Sequence, residues 1–332
     1  MLTAIADEPV IKDPLLTRVP LDQEGFFYRF GFPLRIRSNS TIPLRAAAIS
    51  YRGYRQRFDV PPLDVRVLVA ENSSPARTEP PVFRSQGNLM TIVIDAENFA
   101  SLDLNTGFGF GWVTRATADR SDYFRQCFLD VITYCLLETR YLATVHSACV
   151  QYRGVGILLA GASGAGKSSL SYACARRGWT YISDDLSVFR RASQVPVIIG
   201  HPENFRFRES AGQLFPEFDG LTGTLRPYGK PSIEIRTASL EGFITAEESS
   251  VSCVVFLNRG DFHGGMPVLL PVSTEVAWER LSSSLWAIQL PALEERVEAL
   301  RRLLDLPLYE LRYGPFDAAI DLLETLADGL KP

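Results

Sequence analysis

Along the first third of the chain, apolar and polar positions alternate with a period of two. Leu34, Arg35, Ile36 and Arg37 do so, as do parts of residues 64–69, and a β-branched apolar run covers 89–94 before Asp95. That period predicts strands with one buried face. Residues 72–81, rich in Ser, Pro and Glu without an apolar period, predict an exposed loop. Residues 1–24 are polar and interrupted by Pro9, Pro14 and Pro20, and read as a loose leader. Residues 25–118 are therefore expected to form a β-rich subdomain, with no chemistry evident in it.

From 123 to 142 the period changes. Phe124, Phe128, Val131, Cys135 and Leu136 share one helical stripe, which predicts a helix packed on the unit that follows. Next come two strands, 143–151 and 155–160, joined at an Arg153-Gly154 turn. A helix over 168–177 stops at Gly178, and a strand over 180–183 ends at Asp184-Asp185. Further strands are expected at 195–199, 232–236, 251–257, 268–271 and 309–313, and helices at 275–285, 293–304 and 318–330. The pattern is α/β, with residues 119–332 as the second unit.

Composition narrows the function classes. Of 332 residues, 46% are hydrophobic and 22% charged, enough apolar side chain for a sizeable core. The formal charge of −4 argues against a broad electrostatic grip on nucleic acid or a lipid surface. No apolar run approaches the ~20 residues that span a bilayer, and the N-terminus lacks a signal-peptide pattern. Five scattered cysteines without a C-x-x-C pair read as buried thiols in a reducing compartment. The expected location is the cytoplasm.

Residues 161–168, GASGAGKS, satisfy G-x-x-x-x-G-K-[ST]. Glycines let successive backbone N–H groups converge on phosphate oxygens, and the helix that opens there adds the positive end of its dipole. Lys167 supplies a mobile charge for the outer phosphates, and the Ser168 hydroxyl suits Mg2+. An apolar strand before the loop and a helix after it are the context the motif requires. Gly161, Ala162, Ser163, Gly164, Ala165, Gly166, Lys167, Ser168 and Ser169 are the expected nucleotide contacts.

Asp184 and Asp185 follow a short strand, seventeen residues beyond Lys167. A carboxylate beside such a loop suits a Mg2+ ligand, and a second can orient or deprotonate an attacking hydroxyl. His146 lies twenty-one residues before Lys167, on the strand whose hairpin returns toward the loop. His201 and His263 read as surface or loop residues.

His146, the segment 154–168 (GVGILLAGASGAGKS) and Asp184-Asp185 together resemble the catalytic domain of HPr kinase/phosphorylase. They resemble more closely the HPr-kinase-related proteins found beside bacterial peptide-biosynthesis genes, including lasso-peptide kinases. Residues 306–313, LPLYELRY, are also similar to those proteins, and the resemblance covers residues 120–330. It implies phosphoryl transfer from ATP to a serine hydroxyl, with Ser168 and Asp185 holding Mg2+, Asp184 as the base and His146 close to Asp184 or the phosphate. The pattern departs at the Glu-Ile-Arg-Gly-type segment: Glu234-Ile235-Arg236 is followed by Thr237 and lies fifty residues beyond Asp184. Residues 203–209 occupy the nearer place without matching, which puts reverse phosphorylase activity and HPr as the substrate in doubt. Arg206, Arg208 and Lys230 are candidates for neutralising phosphate.

The leading expectation is a kinase acting on Ser of a peptide or small protein, with the β-rich part presenting the acceptor. A small-molecule kinase for an amino acid or sugar, a nucleotide-binding regulatory module without turnover and an ATPase stay open, as do GTP in place of ATP and a homo-oligomeric state.

Overall fold

The computed structural model describes residues 19–71, 79–224, 231–259, 262, 264–283, 285 and 292–331. The first unit is a seven-stranded sheet in the order Gln23–Arg29, Phe32–Ser38, Leu63–Ala70, Phe108–Thr114, Asn98–Asp103, Leu89–Asp95, Val82–Gln86. Its three strands Phe32–Ser38, Leu63–Ala70 and Phe108–Thr114 run parallel, flanked by antiparallel partners. The expected alternation holds: Leu34 and Ile36 are fully buried, while Arg35 and Arg37 reach outward to Glu24 and Asp64.

The helical stripe is interrupted. Helix Ser121–Phe124 passes through a π-helical stretch, Arg125–Leu129, into helix Asp130–Arg140. Its apolar face packs on the first sheet and not, as expected, on the nucleotide-type unit: Phe124, Phe128, Ile132 and Leu136 share one core with Leu34, Val65 and Val67. Gly109 makes room for it, since a Cβ there would sit 3.0 Å from Ile132.

The second sheet has ten strands. Val155–Ala160, Glu248–Asn258 and Leu308–Arg312 run parallel at its centre, and Ser147–Tyr152 lies antiparallel beside the first of them. Every residue of Val155–Ala160 is buried, as expected of a central strand covered on both faces. Ile157 and Leu159 meet helices Lys167–Arg176 and Phe316–Gly329 on one face. Leu158 and Ala160 meet Thr274–Ser282 and Leu293–Arg301 on the other. All five cysteines are buried free thiols, and among the described residues no helix is long and apolar enough to cross a membrane.

Element bounds follow the apolar periods closely except at 143–151. That run is two strands, Leu142–Val145 and Ser147–Tyr152, because the chain changes partners at His146. The first half pairs with Ser187–Arg190 and the second with Val155–Ala160 and Thr180–Ser183. The two units are tied by Arg55 to Glu247 at 3.1 Å and by Arg57 to Glu248.

A buried ion pair fastens the long helix to the second unit. Glu138 and Arg296, both 1% exposed, meet at 2.6 Å, and Thr144 donates to the same Glu138 oxygen. Burial pushes the Glu138 carboxyl up, against the opposite pull of Arg296. Truncating one member strands the other charge, so Arg296→Ala is expected to cost about 3–5 kcal/mol of stability in urea unfolding. A loss below about 1 kcal/mol would mean that the partner charge is already well solvated or neutral.

Candidate active site

Strand Val155–Ala160 delivers the chain from the core to the loop 161–166, and helix Lys167–Arg176 begins directly after it. The first N–H groups of the helix, those of Lys167, Ser168 and Ser169, have no intrahelical acceptor, which is the arrangement an anion requires. Gly166 has φ +99°, and a Cβ on it would lie 2.5 Å from the Tyr313 hydroxyl. That hydroxyl donates to the Ala165 carbonyl at 3.2 Å, so the end of the last strand holds the loop from behind.

Lys167 is buried, 6% exposed, with Nζ donating to the carbonyls of Gly161 at 2.8 Å and Ala162 at 3.2 Å. Burial pulls its pKa down, opposed by the charges of Asp185 and Asp184. Ser163, at the loop's tip, accepts from Arg208 at 3.0 Å.

The two aspartates sit in different surroundings. Asp184 is 7% exposed. Its Oδ2 accepts from the Arg206 backbone N–H at 3.0 Å, and the Ser168 side chain is near enough to act on its charge. Its Oδ1 is buried and, among the described residues, has no hydrogen-bond partner. Burial lifts its pKa to about 6, against the lowering effects of Ser168 and of the Arg206 N–H. An orphaned carboxylate oxygen beside a serine hydroxyl fits a hard divalent cation such as Mg2+. Asp185 is exposed and faces His146, whose Nδ1 lies 2.9 Å from its carbonyl and 3.3 Å from its Oδ1. The turn is pinned by Ser183 to Ser187 at 2.8 Å and by Ser187 to the Ser147 carbonyl at 2.9 Å. His146 thus escapes both ladders where its strand breaks, and its ring reaches the aspartate pair.

Around these groups opens a cleft of about 1430 Å³, floored by Gly161 and Ala162 and flanked by Asp184, Asp185 and His146. The first unit, in which the sequence revealed no chemistry, lends it Arg29, Arg52, Tyr54 and Arg125. Strands Asn204–Phe207 and Ile233–Arg236 pair antiparallel, Arg206 opposite Glu234. Pairing brings Glu234 and Arg236 to the cleft despite their fifty-residue separation from Asp184. Arg206 is bound to Glu234 at 3.0 Å. His201 lies in a loop, as expected, but is half-buried: it lines the cleft, stacks on Tyr54 at 5.0 Å, and burial holds its pKa down to about 4. Lys230 and His263 lie outside the described residues. Arg52 and Arg125 carried no motif, and the segments with Glu203 and Tyr313 gave those two side chains no role; only pairing across the fold reveals them.

Residues 140–207 match the family model of the HPr Serine kinase C-terminal domain. The chain is 34% identical over 102 residues to “Putative HPr kinase/phosphorylase 2” of Oceanobacillus iheyensis, a span that is 30% of this chain and 32% of that protein. It is 29% identical over 104 residues to the HPr kinase/phosphorylase of Chlorobaculum tepidum, 31% of this chain and 29% of the relative. The matches thus span about a third of the length of these curated relatives. The HPr(Ser) kinase/phosphatase structure from Coxiella burnetii aligns with a TM-score of 0.32 at 14% identity, over 56% of this chain and 94% of that one, and carries no part of the argument. The segment that holds the loop and the aspartate pair is HPr-kinase-like.

Proposed function

We propose that this chain transfers the γ-phosphoryl group of ATP to a hydroxyl, that of Ser in a peptide or small protein. The observation that carries the reading is the buried Asp184 carboxylate, with one oxygen unpartnered among the described residues, next to the Asp185–His146 pair at the mouth of a glycine loop that holds Lys167. A module that only bound nucleotide would need the loop and a Mg2+ ligand, and not a second carboxylate beside them facing a histidine.

In this reading the loop amides and Lys167 hold the phosphates. Ser168 and Asp184 would hold Mg2+, which supplies charge neutralisation between the outer phosphates. This reverses the division expected from the resemblance, in which Asp184 was the base. The more exposed Asp185, with His146 at 3.3 Å, is better placed to take the proton of an incoming hydroxyl. Positioning and electrostatics then account for most of the catalysis. The cleft, about 1430 Å³, exceeds the ~300–1,000 Å³ of most single-ligand pockets, which favours an acceptor larger than an amino acid. Five buried free thiols suit a reducing compartment, and we place the protein in the cytoplasm.

Incubation with γ-labelled ATP, Mg2+ and serine-containing peptides, followed by mass spectrometry, tests the reading. Label on a peptide hydroxyl is expected. Label on a free amino acid or sugar alone would turn the assignment to a small-molecule kinase, and a protein with no affinity for ATP or GTP would end it.

A further inference from the structure

We propose that the acceptor is an acidic peptide segment, held by Arg52 and Arg236 on the walls of the cleft. The inference rests on the kinase reading for the chemistry of the site and adds the class of substrate.

Most cleft arginines are already engaged. Arg206 is paired with Glu234 at 3.0 Å and Arg280 with Glu310 at 2.6 Å, while Arg29 donates to Asp130 and Thr133 of the long helix. Arg52 and Arg236 differ. Both line the cleft and are exposed, and among the described residues neither guanidinium has a hydrogen bond or an ion pair. The carboxylate that feels both is Glu203, which is turned against the backbone at Gly53: a Cβ there would lie 2.6 Å from its Oε1. Two cations thus share one carboxylate, and the excess faces open cleft.

Arg125 is engaged as well. It also lines the cleft, and its Nε is buried without a hydrogen-bond partner among the described residues, although its other nitrogens reach Asp122 at 2.9 Å and Ser50 at 3.4 Å. It opens the π-helical stretch Arg125–Leu129, a distortion that recurs where function demands a particular side-chain direction. That buried Nε is out of a ligand's reach, so contact with a carboxylate falls to the guanidinium forks of Arg52 and Arg236, which match it in geometry as well as charge. The cleft lining holds six Arg against six Asp and Glu, so the pull on an anion is local to the wall that carries Arg52 and Arg236. The size of the cleft leaves room for a peptide alongside a nucleotide, which favours an acidic segment over a small free anion.

Fluorescence polarisation tests this with the full chain saturated with a non-hydrolysable ATP analogue and Mg2+. The probes are a fluorescein-labelled peptide carrying one Ser among Glu residues and its counterpart with Gln in place of Glu. The Glu peptide is expected to bind about tenfold more tightly, with the advantage shrinking as salt rises. The double variant Arg52→Glu/Arg236→Glu should erase that advantage while its affinity for the ATP analogue is unchanged. Equal affinity for the two peptides, or an advantage that survives the double substitution, would overturn the inference. Because the readout is binding, specific capture of the Glu peptide without any label transfer would uphold the acidic-segment site and count against the kinase reading. Equal phosphorylation of both peptides would do the reverse.

Discussion

Lys167→Ala should lower label transfer from ATP by about 10²–10³-fold or more while leaving a folded protein. The ammonium is buried at the loop, and burial already presses its pKa downward, so the folded state holds this charge at a cost. The two carbonyls it touches, those of Gly161 and Ala162, belong to the loop itself, which places the charge where phosphate oxygens would replace them as partners. Removing it deletes a preorganised cation from a water-poor site, where its effect on developing charge is largest. Its contribution to folding is small by comparison, because two hydrogen bonds are exchanged for relief of a desolvated charge, and the unfolding free energy should change by no more than about 1–2 kcal/mol. Single-turnover transfer and calorimetric titration with ATP measure the first effect, and urea unfolding the second. Transfer within tenfold of the parent protein would remove Lys167 from the machinery.

Asp184→Asn is expected to abolish Mg2+-dependent transfer by a similar factor and, in metal-free buffer, to make the protein more stable. The two outcomes have one cause. Burial raises the carboxyl pKa to about 6 from an ordinary value of 3.8, so the folded protein binds this proton more tightly than the unfolded chain does. The stability linked to the bound proton is fully present below about pH 4 and is lost as the pH rises through 6. Above that, an ionised Asp184 costs the metal-free fold on the order of 3 kcal/mol. Asparagine keeps the shape without the charge, so its gain should emerge only at neutral pH and vanish near pH 4. A divalent cation offsets the same cost in the parent protein, and its binding should weaken as the pH falls below about 6, where a proton competes for the carboxylate. Thermal melts with EDTA or Mg2+ between pH 4 and pH 8 separate these effects. A parent protein no less stable than the variant at pH 8 without metal would contradict the account of Asp184.

The parts of this design that were legible in the sequence are those written locally. The strand, glycine loop and helix around Lys167 announce themselves because backbone approach to phosphate demands small residues at fixed spacing. Asp184-Asp185 stand out because a carboxylate pair closes a short apolar strand. Apolar period also located most other elements. It failed at His146, where a run of apolar residues conceals a change of pairing partner, since period reports burial and not neighbours. It failed again at the helical stripe, because a stripe shows that a face is covered and not what covers it. The difference in burial between Asp184 and Asp185 arises from Arg206, which belongs to a different strand pair, and adjacent identical residues offer no local hint of it. Arg52 and Arg125 were invisible for the same reason: an isolated Arg in a loop or on a helix looks like solvated surface until the two units are brought together.

The hydroxyl of Tyr313 against the loop has a practical consequence for recognising such chains in genomes. The stretch matched by the family model ends at residue 207, roughly a hundred positions before the tyrosine that keeps Ala165 and Gly166 in shape. A gene product cut short between those points would still score as a full catalytic segment, yet it would lack the central strand and the buttress behind its phosphate cradle. Surveys that count intact motifs would enumerate such fragments as enzymes. Checking for a tyrosine in the place of Tyr313 would show whether such a product keeps this support.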